Sequence, residues 1–416
     1  MNKKLKLLMS ITISAVIGTS LLAGCGSKGG STENGKVKLE LFSTKAENKT
    51  ILQSLANEFQ EKNPNIEISI NSPANAGTVL KTRLAKNDMP DLVALGADVN
   101  YGALVDANAL VDLTNDGILE NIQKPYLDML HGIASNDNGK IYGVPYATNA
   151  DGVLYNKDIF SKLGLQIPKT WDEFMAASKK IKDAGKLPLY LTLKDAWTGM
   201  CFWNVIASDL EPSNFLADKK AGKTTFEATH GEIVDKMETI GTLGQEDILG
   251  VSYNDGNAAF AQGKSAMYLQ GNWAISEIKK ANPNINLGMF PLPASNDPSK
   301  NNIVSGIDVL FGITSKSKHS DEAKKFIEFM TQKENAQKYI KDQFAFSAVK
   351  DVTQDDQSVT DVQESFKNGK IGVFPDHYYP SSFDAASLVQ GFYSKKDKAE
   401  FLKQLDTEYD KANSKQ

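Results

Sequence analysis

Hydrophobic and polar positions alternate from Val37 through Leu39 to Leu41, with lysine and glutamate between them, which predicts a half-buried strand. The period then lengthens. Ile51, Leu52, Leu55, Ala56 and Phe59 recur at helical spacing until Asn63-Pro64 stops the run. Alternation returns at Ile66, Ile68 and Ile70, so the three segments read as a strand–helix–strand unit with a parallel, right-handed crossover. A second helix is expected over Val79 to Lys86, followed by a buried strand at Asp91-Leu92-Val93-Ala94-Leu95. Further along, Thr170 with Glu173 three residues later reads as a capping box. Trp171, Phe174, Ala177 and Ile181 mark one face of that helix, and Gly185 ends it. Ser320 opens another, with Ala323, Phe326, Ile327 and Met330 on its apolar face. Strands alternating with helices along most of the chain predict an α/β fold with open sheets.

The first 25 residues have a different pattern. Lys3, Lys4 and Lys6 precede a moderately apolar run from Leu7 to Ala23 that is interrupted by serine and threonine. That run suits a secretory leader and is short and polar for a membrane span. It ends in Leu22-Ala23-Gly24-Cys25, a small-residue approach to cysteine that resembles the lipobox of bacterial lipoproteins. The resemblance implies acylation of Cys25 and cleavage before it; the rival is an uncleaved anchor with a chance cysteine. Residues 26–36 carry no large apolar side chain and are expected to form a flexible tether, with a reach of roughly 18 Å.

Composition narrows the classes. With 41% hydrophobic and 23% charged residues, the chain reads as globular rather than disordered or polytopic. Removing the three leader lysines takes the formal charge from −5 to −8, a surface that repels nucleic acid, and no basic patch offsets it. With Cys25 acylated, only Cys201 is left, so no intrachain disulfide is expected; in Met200-Cys201-Phe202-Trp203 it reads as a small buried apolar residue. The four histidines are far apart, and no metal or other cofactor is expected.

Three stretches, in this order, resemble the family 1 extracellular solute-binding proteins of ABC importers, the group that contains the maltose-binding protein. The first is Gly139-Lys140-Ile141-Tyr142-Gly143-Val144-Pro145-Tyr146, continuing through Leu154-Tyr155-Asn156-Lys157-Asp158 to Pro168-Lys169-Thr170-Trp171-Asp172-Glu173-Phe174. The second is Ala258-Ala259-Phe260-Ala261-Gln262-Gly263-Lys264-Ser265-Ala266-Met267, ending in Gly271-Asn272-Trp273-Ala274. The third is Gly288-Met289-Phe290-Pro291-Leu292-Pro293. Leu41 to Glu47 and Pro73 to Gly77 resemble the raffinose and multiple-sugar lineage more than the maltose one.

The resemblance implies two α/β lobes of open mixed sheets flanked by helices, joined by three crossovers near Thr148–Ala150, Phe290–Pro293 and Thr331–Asn335. It divides the chain into a leader at 1–24, a lipidated tether at 25–36, one lobe at 37–148 and 291–332, and another at 149–290 and 333–416. It implies a monomeric, lipid-anchored protein outside the cytoplasm that passes an oligosaccharide, with α-1,6-linked galactosides or glucosides as candidates, to an ABC permease.

A sugar presents apolar C–H faces and a rim of hydroxyls, so its site needs aromatic planes together with carboxylates, amides and cations. Trp273 matches the family's stacking aromatic after the Gly-Asn turn; its rival is a core tryptophan. Trp197 lies in a turn-rich stretch and reads as a second platform, whereas Trp203 reads as core. Asp308 is an acid within an apolar strand and needs a partner there, which is expected to be ligand; its rival is a structural salt bridge. Asp376 and His377 lie in Phe374 to Pro380, the densest aromatic and polar cluster; related sugar binders use this late loop to read a terminal sugar. Lys45 ends the first strand, with a solvated loop lysine as its rival. Asn149 stands beside the first hinge, and Asp151 next to it could cap the hinge instead.

Two signals fail on inspection. Gly222-Lys223-Thr224 lacks the earlier glycine of a phosphate loop, and Asn136-Asp137-Asn138-Gly139 lacks the first ligand of a calcium loop and reads as a turn. Two rival functions stay open at this level: a binder of a non-sugar solute, since fold does not fix function, and a secreted glycosidase, for which no carboxylate pair stands out.

Overall fold

The computed structural model describes residues 35–73, 75–380 and 382–414; Cys25, the leader and nearly all of the tether lie outside the described residues. Its strands, in chain order, are β1 (Val37–Ser43), β2 (Ile66–Asn71), β3 (Leu92–Leu95), β4 (Val144–Thr148), β5 (Asp151–Asn156) and β6 (Leu187–Tyr190). They continue with β7 (Ser265–Gly271), β8 (Leu287–Phe290), β9 (Ile303–Val304), β10 (Ile307–Ile313), β11 (Phe346–Ser347) and β12 (Ile371–Gly372).

They form two mixed sheets. The first has the order β11-β4-β10-β3-β1-β2, and the second β12-β9-β5-β7-β6 with β8 also paired to β5. The opening unit forms as its periodicity predicts: β1 runs parallel to β2, with Leu41 opposite Ile70, and the helix Lys49–Lys62 between them ends at Asn63. β10 enters this sheet antiparallel to both β3 and β4. In the second sheet β6 is parallel to β7, while β5 is antiparallel to β7, β8 and β9.

Each sheet is covered on both faces, as the period of two requires. Leu39 and Leu41 point into one apolar cluster with Leu52, Leu55 and Phe59, whereas Phe42 points into the opposite one with Leu80, Val93 and Tyr101. In the second sheet Val153 joins a large cluster containing Phe202, Trp203 and Ile206, and its neighbour Leu154 faces Phe260, Tyr268 and Ile275. Trp203 is fully buried and donates from Nε1 to the Tyr379 hydroxyl at 3.0 Å. The free Cys201 is buried in the same helix, Gly199–Leu210. Thr170 caps the helix Trp171–Asp183 by accepting from the Glu173 amide at 3.2 Å, and the Glu173 carboxylate accepts from the Lys169 amide at 2.7 Å.

Sheet membership corrects two of the expected crossovers. The first falls where expected, between Thr148 of β4 and Asp151 of β5. The second lies at Ser305-Gly306, between β9 and β10, rather than at Phe290–Pro293. Residues 291–304 stay with the second sheet because Leu292, Ala294 and Val304 are buried in its core and the Ser295 carbonyl accepts from the Trp171 amide at 3.1 Å. The third crossover lies after Val352, not at Thr331–Asn335. The helix Lys333–Gln343 buries Ala336, Tyr339 and Ile340 against the first sheet, where the Tyr339 hydroxyl accepts from Asn48 Nδ2 at 3.1 Å. Val352 belongs to that core and Val359 to the second sheet's. Two lobes result, one from 37–148 and 307–352, the other from 149–306 and 353–414, in place of boundaries at 291 and 333.

No described helix is long and apolar enough to cross a membrane. Among the described residues no group of histidine, cysteine and carboxylate side chains is arranged to hold a metal ion.

Candidate functional site

The crossovers bring the ends of β1, β4, β5, β7, β9 and β10 together. Open α/β sheets bind ligands at such strand ends, beyond the last ladder hydrogen bonds. On the first lobe, Lys45 follows β1 and Asp308 sits at the start of β10. Lys45 Nζ donates to Asp308 Oδ1 at 2.7 Å and Oδ2 at 2.6 Å, with side chains 16% and 11% exposed. The two residues expected to meet ligand separately therefore form one two-pronged ion pair. Lys45 is not a solvated loop lysine.

Asn149 is occupied by the hinge. Its Oδ1 accepts from the Gly306 amide at 2.9 Å, its carbonyl accepts from Ser305 Oγ at 2.6 Å, and its amide donates to the Gly306 carbonyl at 3.1 Å. It joins the first two crossovers, and its side chain is 8% exposed.

The second lobe supplies the aromatic surfaces. Trp197, in a short 3-10 turn before the helix Gly199–Leu210, is 42% exposed and meets Tyr253 edge-on, with centroids 5.0 Å apart. A large aromatic kept in solvent is an uncommon use of apolar area and marks a contact surface. Trp273 is half-buried in the turn after β7 and donates from Nε1 to Gln270 Oε1 at 3.1 Å. A Cβ built on Gly271 would come within 2.0–2.3 Å of three Trp273 ring atoms, so glycine is required for the indole to lie over this turn. Phe374 and His377 stack at 4.7 Å with planes 15° apart, and His377 Nε2 is 4.0 Å from Asp376 Oδ1.

Buried polar atoms without partners gather beside these rings. Asp376 Oδ1 has none although the side chain is 24% exposed. Burial holds the Asp376 carboxyl above the usual carboxylate range, against the pull of His377. Asp151 is 1% exposed, and neither of its oxygens has a partner. Burial pushes its carboxyl well up, and the nearby Asp376 charge adds to the shift. Gln270 is fully buried; its Oε1 accepts from Trp273 and lies 3.5 Å from Cys201 Sγ, while Nε2 has no partner. The Tyr253 hydroxyl and both amide atoms of Asn257 are likewise unpartnered. Burial raises the Tyr253 phenol, with Glu47 of the first lobe as the next contributor.

An unmet buried polar atom costs about 1–3 kcal/mol, so a cluster of them is kept where something else completes the bonds. Sequence reasoning singled out Trp197, Trp273, Asp376 and His377 but missed Gln270, Tyr253 and Asn257, and it read Asp151 only as a hinge cap. One signal was available: Gln270 interrupts an otherwise apolar strand, Ser265–Gly271, in which every residue is buried. Tyr253 and Asn257 share a helix face at i and i+4, a pattern also shown by ordinary surface pairs.

Residues 43–337, well over half of the chain, match the bacterial extracellular solute-binding protein family. Over 367 residues the chain is 30% identical to the multiple sugar-binding protein of Streptococcus mutans serotype c, covering 86% of this chain and 85% of that one. It is 24% identical to the melibiose/raffinose/stachyose-binding protein MelE of Bacillus subtilis, over 76% of this chain and 75% of MelE. Among solved structures, RafE in complex with raffinose superposes with a TM-score of 0.81 at 27% identity, covering 91% of this chain and all of that one. The apo form of RafE, from Streptococcus pneumoniae, gives 0.73 at 26% identity, covering 92% and 100%. Sequence match and two-sheet architecture agree: the chain belongs to the bacterial extracellular solute-binding proteins, which capture a solute outside the cytoplasm and are not enzymes.

Proposed function

We propose that this protein captures oligosaccharides for an ABC importer, with α-1,6-linked galactosides of the raffinose series as its first candidates, and that it does so as a monomer anchored to the outer face of the cell membrane through lipid on Cys25. The observation that carries the sugar reading is the set of unpartnered buried polar atoms on Asp151, Gln270, Tyr253, Asn257 and Asp376 beside Trp197 and Trp273. Sugar hydroxyls would complete those atoms, and the indoles would take the C–H faces. The Lys45–Asp308 pair would form the wall of the opposite lobe. The names of the relatives point the same way, toward raffinose, melibiose and stachyose.

The energetics are adequate. One stacked face removes ~50 Å² of apolar surface from water, about 1–1.5 kcal/mol at ~25 cal/mol/Å². Hydrogen bonds to charged groups add about 1.5–3 kcal/mol each. Two stacks and a few such bonds, less the ordering cost, reach about −8 kcal/mol, a micromolar dissociation constant.

A thermal-shift panel of raffinose, melibiose, isomaltose, maltose and fructo-oligosaccharides tests the reading, because ligand that binds only the folded state raises Tm. Raffinose is expected to give the largest shift. No shift with any sugar would overturn the sugar assignment and leave the non-sugar solute reading. Mass spectrometry of the mature N-terminal peptide tests the anchor: an acylated Cys25 is expected, and an intact leader would refute it.

A further inference from the structure

Asn272 lies between Gly271, over which the indole packs, and Trp273 itself. Its side chain is fully buried and has two separate attachments. Oδ1 accepts from the Ala150 amide in the first crossover at 2.6 Å, and the Asn272 amide donates to the Ala150 carbonyl at 3.0 Å. Nδ2 donates to the Phe344 carbonyl at 3.0 Å. Phe344 belongs to the other lobe, where it ends the helix Lys333–Gln343 in a left-handed conformation with φ 52° and ψ 25°. A bulky aromatic rarely adopts that backbone, which is at home in glycine or asparagine. Two contacts from the second lobe accompany it. The Lys279 ammonium stands 4.4 Å from the Phe344 ring centroid, and the ring packs against the second lobe's core. A strained residue of one lobe is thus fixed by groups of the other, and the hydrogen bond among them comes from the residue preceding Trp273. The chain as a whole superposes on the raffinose complex of RafE with a TM-score of 0.81 and on its apo form with 0.73.

We propose that Asn272 is a positioning residue that clasps the two lobes through the Phe344 carbonyl and so couples the Trp273 turn to lobe closure. The clasp is a contact of the closed arrangement. Opening withdraws the Phe344 carbonyl from Asn272 and leaves it to water, so losing the donor lowers the closed population and, with it, the apparent affinity. The coupling to ligand rests on the sugar reading; the clasp itself does not.

Asn272→Asp separates the two attachments, because it keeps the acceptor for the Ala150 amide and removes the donor to Phe344. Asn272→Ala removes both. Raffinose is titrated by calorimetry and stopped flow, and lobe separation is read as the distance between spin labels at Lys86→Cys and Lys220→Cys, with Cys201 buried. Both substitutions should weaken raffinose binding about tenfold, the effect of one buried hydrogen bond, through faster dissociation, and shift the ligand-free distance distribution toward open. Asn272→Asp with wild-type affinity and an unchanged distance distribution would overturn the clasp. If the wild type binds no sugar, the sugar reading fails alone. The ligand-free distances then decide the clasp: a shift toward open supports it, and no shift refutes it.

Discussion

Gly271→Ala places a methyl group where the Trp273 ring now lies. The glycine backbone, at φ −89° and ψ 178°, is ordinary extended chain, so alanine meets no conformational obstacle and the whole effect is a collision with the indole. Overfilling a packed site costs about 1–3 kcal/mol. The half-buried ring can relieve it by swinging outward, which breaks the 3.1 Å bond to Gln270. Most of the damage should therefore fall on binding rather than on folding. Losing one stacked face forfeits about 1–1.5 kcal/mol. Misaligning the hydroxyls beneath it forfeits about one further hydrogen bond. Together these give roughly a 30- to 100-fold loss of affinity. Calorimetry with raffinose measures it, and tryptophan emission reports the displaced ring. Wild-type affinity with unchanged emission would show that Trp273 does not stack on the ligand and that the cleft assignment is wrong.

Other outcomes concern folding stability. Burial pushes the Asp209 carboxyl from an ordinary 3.8 up to about 7, with Oδ1 accepting twice from Asn302 at 3.1 Å and Oδ2 unpartnered. The folded state thus holds this proton more tightly than the unfolded chain. The stability it contributes is fully present below about pH 4 and is lost as pH rises through about 7. At about 1.36 kcal/mol per pH unit the ceiling is about 4 kcal/mol. Asp209→Asn should leave urea stability at pH 4 nearly unchanged and raise it by a few kcal/mol at pH 8; a gain that does not grow with pH would refute the account. Lys45→Met strands the Asp308 carboxylate and should cost about 2–3 kcal/mol in urea unfolding, and adding Asp308→Asn should restore part of it. A double-variant loss equal to the sum of the Lys45→Met and Asp308→Asn losses would mean that the pair is not coupled.

Much of the fold was legible because it rests on local periodicity. The alternation at Val37–Leu41, the helical spacing of Ile51–Phe59 and the Thr170 cap each depend on residues a few positions apart, and each formed as read. Trp197 also stood out in sequence, because a tryptophan in a turn-rich stretch has few neighbours to bury it. The second and third crossovers were not legible. The two-residue strand Ile303–Val304 has too little pattern to announce itself and is defined only by partners in β5 and β12, which are remote in sequence. The helix Lys333–Gln343 shows an apolar face, but periodicity does not say which sheet receives it; Asn48 and Tyr146 do, by meeting Tyr339.

By itself, then, the sequence determined the α/β class and the family, and it singled out the aromatic and acidic side chains proposed to meet a sugar, since all of these depend on residue type and short spacing. Tertiary structure alone decided how those side chains are used. It turned Lys45 and Asp308 into one ion pair, gave Asn149 to the hinge, and left Asp151, Gln270, Tyr253 and Asn257 buried with unmet hydrogen-bonding capacity. The physical reason is that a polar group's role depends on which partners burial leaves it, and those partners come from strands and helices far apart in the chain.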